Sequence, residues 1–174
     1  MQPSLQKLFT LIEDQRNETL KSVRHLTPEQ FNFTSAPGKW SVADILSHII
    51  TAERFSILYL RKKIQGIADA KDTGLIEEIK MTLLKISQRL PGIKFKAPRF
   101  LVENTPTHKD LSTLEFEWES VRKEFKELLE TIPQQHINRK IYKHVRAGYL
   151  NIQHALIFFR EHIIHHTPQI KKLL

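Results

Sequence analysis

Phe159-Arg160-Glu161-His162-Ile163-Ile164-His165-His166 is the stretch from which the rest of the chain is read. In an α-helix, residues four apart differ by only about 40° around the axis, so His162 and His166 stack on one face, one turn apart. Ala155, Phe159, Ile170 and Leu173 fall on that stripe or beside it, so both imidazoles point into a core. Two ring nitrogens on one helix edge can share a metal ion. The stretch predicts a long buried helix that carries part of a metal site.

Outward from this helix, Asn151 is the expected N-cap, and Pro168 predicts a kink or a fresh start just after His166. Pro133 to Gly148 reads as a basic connection. Before it, Leu114, Trp118, Val121, Phe125, Leu128 and Ile132 mark a third main helix, with Ser112 and Glu115 as its capping box. The second runs from Val42 to about Gln65, opened by Ser41 and Asp44 and stopped by Gly66. Its buried stripe is Ile45, His48, Ile49, Ala52, Phe55 or Ser56, and Tyr59. The first carries Leu5, Leu8, Phe9, Ile12, Thr19, Leu20 and Val23 and ends near His25; Thr27-Pro28-Glu29-Gln30 then caps a short turn.

Between the second and third main helices, Asp72 or Thr73 is expected to cap a shorter helix from Leu75 to about Leu90, with Ile76, Ile79, Leu83 and Ile86 as its apolar face. Ile93-Lys94-Phe95-Lys96 alternates, but Pro98 and Pro106 and the lack of a pairing partner make it a loop. The expected fold is all-α, one domain over residues 1–174. It is an up-down-down-up four-helix bundle with a long crossover between the second and third main helices and one extra shorter helix.

Composition narrows the function classes. With 174 residues, 40% of them apolar, the chain can bury a continuous core. No apolar run reaches the roughly 18 to 20 residues that span a bilayer, and no secretory signal pattern opens the chain, so a cytoplasmic protein without membrane attachment is expected. The absence of cysteine excludes disulfides, thiolate zinc sites and a cysteine nucleophile. Any metal must be held by histidine and carboxylate. The net charge of +8 is scattered over Arg61 to Lys63, Lys94 to Arg99, Arg139 to Arg146 and Lys171-Lys172, several at expected helix C-termini where cations favour the dipole. Solvated helix ends are the better reading than a nucleic-acid surface.

His48 supplies a third core-facing imidazole from a separate helix. Alone, it would read as a core residue bonded to a backbone carbonyl; with His162 and His166, three buried rings lacking a common partner would leave several nitrogens unsatisfied. The set His48, His162 and His166 is therefore the expected metal site, with one side open. His165 points about 100° away from His166. His154, two turns before His162, could approach the same face, and Asp44 could orient His48, although its capping role already accounts for it. Glu161 reads as solvated, and His108, His136 and His144 fall in connections without a spacing signal.

Two segments carry a family resemblance. Lys39-Trp40-Ser41-Val42-Ala43-Asp44-Ile45-Leu46-Ser47-His48 resembles the WS-x-x-(D/E)-x-L-x-H segment of the DinB-like (DinB/YfiT) metalloenzyme superfamily. His162 to Ile170 resembles that family's closing H-x-x-H-H-x-x-Q-I segment. The resemblance implies a four-helix bundle, a divalent metal at His48, His162 and His166, and commonly a homodimer. It departs at Thr167-Pro168, where relatives often carry Arg-Gly. Relatives include thiol-dependent transferases and isomerases of the maleylpyruvate isomerase and bacillithiol transferase types.

The expected activity is thus a thiol-dependent S-transfer to a small electrophile, with zinc or nickel, or else iron or manganese, and a low-molecular-weight thiol as cosubstrate. The alternatives are a metal-dependent hydrolase, or a non-catalytic metal-binding bundle whose basic surface meets nucleic acid or a protein partner.

Overall fold

The computed structural model describes residues 1–90 and 97–174; the alternating stretch 93–96 lies outside the described residues. Helices α1 (Pro3–Val23), α3 (Val42–Ile64), α6 (Leu111–Glu130) and α7 (Ile152–Lys171) form the bundle. Shorter α2 (Pro28–Phe31), α4 (Leu75–Arg89) and α5 (Arg99–Glu103) lie between them, and strands β1 (Tyr142–His144) and β2 (Gly148–Leu150) precede α7.

Ion pairs report the directions of the helices. Arg16 of α1 and Arg24 at its C-cap meet Glu119 and Glu115 of α6 in reverse order, so those two helices are antiparallel. Glu53 and Arg61 of α3 meet Arg122 and Glu124 of α6 in the same order, so those two run together. His48 near the start of α3 faces His162 and His166 near the end of α7. The bundle is up-down-down-up, and the crossover between α3 and α6 is what permits two consecutive main helices to run in parallel.

The core is filled by Leu5, Ile12, Leu46, Ile49, Ile50, Leu60, Leu114, Trp118, Phe125, Leu129, Leu156, Phe159 and Ile163, all buried. One charged network is buried among them: Glu53 accepts from Arg122 at 2.7 Å and from the Trp118 indole at 2.9 Å. Burial raises the Glu53 carboxyl, and Arg122 opposes that rise. This pair joins α3 to α6 in the middle of the bundle, where removing either partner would strand a charge.

Several local expectations need correction. Asp110, not Ser112 with Glu115, caps α6, accepting the Thr113 N–H at 2.8 Å. Neither Asp72 nor Thr73 caps α4. Gly74 stands at that N-cap with Glu77 accepting its N–H, because Thr73 is spent on Asn138 and Asn151. Arg99–Glu103 forms a short helix inside the expected loop. The basic connection before α7 contains a β-hairpin, Tyr142 pairing with Leu150 and His144 with Gly148, and Gly148 turns back into β2 at φ +76°. Helix α7 continues through Pro168 to Lys171 without a fresh start.

The expected apolar face of α4 is exposed. Ile76, Ile79, Leu83 and Ile86 are at least half accessible, while Met81, Leu84 and Gln88 are buried against the bundle. The helix carries two apolar stripes on nearly opposite sides, about 160° apart in projection. Polar anchors choose between them: Arg89 forks onto Glu161 of α7 at 2.6 and 2.7 Å, and Glu78 meets His154 of α7 at 2.9 Å. No described helix is long and apolar enough to cross a membrane.

Candidate metal centre

The site begins with the Ser41 cap. Ser41 Oγ accepts the Asp44 N–H, and the Asp44 carboxylate accepts the Ser41 N–H and hydroxyl at 3.0 and 2.9 Å. This fixes where α3 starts and sets His48 less than two turns inside it. Asp44 is committed to that cap and does not orient His48. Trp40, one residue before the cap, packs on His48 with ring centroids 4.8 Å apart and on His166 at 6.3 Å.

On the facing helix, His162 Nε2 and His166 Nε2 are 3.2 Å apart. Two imidazole nitrogens on one tetrahedral zinc at about 2.0–2.1 Å lie about 3.3–3.4 Å from each other. The i, i+4 pair is thus spaced to share one ion. His48, His162 and His166 together offer ring nitrogens within 4.8 Å of one another, a looser triangle than the His162–His166 edge. His166 Nδ1 donates to Gln169 Oε1 at 3.1 Å, which leaves the Nε2 lone pair toward the centre. His162 stacks in near-parallel fashion on Phe158, centroids 5.3 Å apart. His48 Nδ1 is buried without a hydrogen-bond partner among the described residues.

Electrostatics keep the three rings neutral. Burial lowers His48 to about 4 and His166 to about 3, and lowers His162 as well, with the neighbouring histidines adding to the fall. Neutral imidazole is the form that binds metal. A cluster of polar atoms buried without protonation, in which one nitrogen has no partner, fits a divalent cation as the common partner.

The other expected residues separate. His154 is buried but turns to Glu78, away from the cluster. His165 reaches the Gln88 carbonyl at 3.0 Å and shares the cavity wall. Glu161 is not solvated: it is buried, and bound by Arg89. That pair and the His165 bond hold α4 along α7 beside the site.

The cluster forms the floor of a cavity of about 940 Å³. Apart from the buried Ile49, the α3 stripe read as core faces this cavity, and the bundle side of the helix is formed by residues outside that stripe. Ile45, His48, Ala52, Phe55, Ser56 and Tyr59 line the cavity, while Leu46, Ile50, Ile57 and Leu60 are buried on the bundle side. Phe100, Leu101 and Tyr142 add apolar wall, and Lys39, Lys143, Arg146 and Lys172 add positive charge. No Asp or Glu stands among the described lining residues.

Sequence reasoning missed His144, which lines the same cavity from β1. Its signal was the alternation of Tyr142 and His144 with Gly148 and Leu150 around a three-residue turn, a hairpin pattern within a segment read only for charge.

Comparison with known proteins agrees with this fold. The family model described as the DinB superfamily matches residues 11–170. Among solved structures, YfiT from Bacillus subtilis is similar with a TM-score of 0.58 and 17% identity, over 97% of this chain and 84% of that one. It is described as a probable metal-dependent hydrolase with an unusual four-helix bundle topology. No curated protein matches the sequence.

Proposed function

The chain belongs to the DinB superfamily, and from that premise we propose that it is a divalent-metal-dependent enzyme that joins a small anionic thiol to an electrophile. In this reading His48, His162 and His166 hold the ion, zinc or nickel, and leave a position open toward the cavity. A divalent ion held there supplies Lewis acidity that lowers the pKa of a bound donor and so provides a nucleophile at neutral pH.

The chain's own residues supply the rest. His166 is fixed by Gln169, and His162 by the Phe158 ring, so the two nitrogens keep their spacing without a ligand. Trp40 covers the His48 and His166 rings on the α3 side and fixes their orientation. Lys39, Lys143, Arg146 and Lys172 favour molecules that carry negative charge. The apolar wall and the volume leave room for a thiol and an acceptor together.

The observation that carries the choice of thiol over water is the absence of Asp and Glu from the described cavity wall. A divalent ion lowers a bound water from about 15.7 and a bound thiol from about 8.5; the thiol needs the smaller shift to become an anion at neutral pH, and the described wall offers no carboxylate to assist a water attack. The test is a matrix of small thiols against electrophiles, run beside ester and amide substrates on zinc- and nickel-loaded protein. Thiol consumption coupled to acceptor loss, abolished by His162→Ala, is the expected outcome. Thiol-independent hydrolysis of the esters or amides would replace this reading with the hydrolase.

A further inference from the structure

We propose that His144 is a ligand-binding residue of the cavity, a neutral imidazole locked as its Nε2–H tautomer that donates to a carboxylate seated against the three-histidine floor. The proposal rests on the reading of this cavity as the substrate site.

The tautomer follows from the hairpin. His144 closes β1, and the turn that follows folds back so that its Nδ1 accepts the N–H groups of Arg146 at 3.3 Å and Ala147 at 3.2 Å. A nitrogen that accepts two N–H groups cannot carry a proton of its own. A neutral ring has one N–H, so here it sits on Nε2. An imidazolium would aim a third N–H into the two backbone donors. Burial of the ring acts in the same direction, lowering it to about 4.

The place follows from Phe158. His144 meets that ring edge-on with centroids 4.5 Å apart, and His162 stacks on it at 5.3 Å. His144 is therefore one aromatic ring away from the metal cluster, on the same cavity wall. The residue is only 7% exposed, and Nε2 makes no hydrogen bond with the described residues. Capping the turn accounts for Nδ1 and leaves Nε2 without a role. An N–H that meets no acceptor of the chain and stands on a cavity wall is available to an acceptor supplied by a ligand.

The charge of that acceptor follows from the surroundings. Arg146 and Lys143 flank His144 in the wall, and no described lining residue is acidic. A carboxylate completes the donor and is favoured by the cations.

The experiment uses ¹⁵N-labelled full-length protein with and without zinc, and benzoate as the probe. Long-range ¹H–¹⁵N spectra are expected to show His144 as the Nε2–H tautomer at pH 7, and its Nε2 resonance is expected to move as benzoate is added. His144→Phe, which removes the donor, should weaken benzoate about tenfold or more, and His144→Gln, which restores an N–H near the Nε2 position, should recover most of that loss. An Nδ1–H tautomer, no binding of benzoate to the wild type, or equal affinity for wild type and His144→Phe would overturn the proposal. The tautomer and the benzoate arm need no metal. Benzoate binding at His144 in a protein that takes up no zinc would therefore sink the metal reading and leave this one standing.

Discussion

At the scale of single residues, the site depends on imidazoles kept neutral by burial, and that has a consequence for pH. An unfolded chain presents histidines near pKa 6.5. In the fold, His48 lies at about 4 and His166 at about 3. Above pH 6.5 both states are neutral at these positions, and the groups add no pH dependence. As pH falls below 6.5 the unfolded chain takes up protons that the native one refuses, so native stability is lost until the folded pKa values are reached. Each such histidine can contribute up to about 1.4 kcal/mol per pH unit across that window. Denaturant unfolding of metal-free protein between pH 7 and 5 should show this fall, with a shallower slope in His48→Gln. An unchanged slope in the variant would mean that His48 is not buried in its neutral form.

At the scale of the element, α4 shows why a pattern alone can select the wrong face. Leu83 and Leu84 are neighbours in sequence, yet Leu83 is 60% exposed and Leu84 only 5%. Leu84→Ala should cost about 2–3 kcal/mol and Leu83→Ala less than about 0.5 kcal/mol in urea unfolding. The reverse order would show that the richer stripe faces the bundle after all.

The expected stripe was read from four apolar residues at helical spacing, a correct period on the wrong side, because the Arg89–Glu161 and Glu78–His154 pairs that orient α4 join residues over 70 positions apart. The three-histidine cluster had the opposite circumstances. His162 and His166 share a turn, and His48 sits at a fixed offset from its own cap, so local geometry was enough to select all three. His144 was hidden because its partners are the backbone of a turn, visible only once the hairpin is formed.

At the scale of the whole molecule, the up-down-down-up order is what assembles the cavity. The crossover lets α3 and α6 run in parallel, so the start of α3 and the end of α7 meet at one end of the bundle. Thr73 and Asn151 then tie the crossover to the start of α7, and the hairpin brings His144 to the wall. The three clustered histidines come from the main helices α3 and α7, while much of the remaining wall comes from shorter pieces inserted between them. Such a division suits a family that keeps one centre and varies what surrounds it.

The most direct test of the account is the metal content of untagged protein after exposure to Zn²⁺ or Ni²⁺, measured on wild type and on His48→Ala, His162→Ala and His166→Ala. A three-histidine site predicts about one equivalent in the wild type and a loss of at least tenfold in affinity in each variant, with the fold retained. Less than about a tenth of an equivalent in the wild type, or full binding that survives all three substitutions, would contradict it.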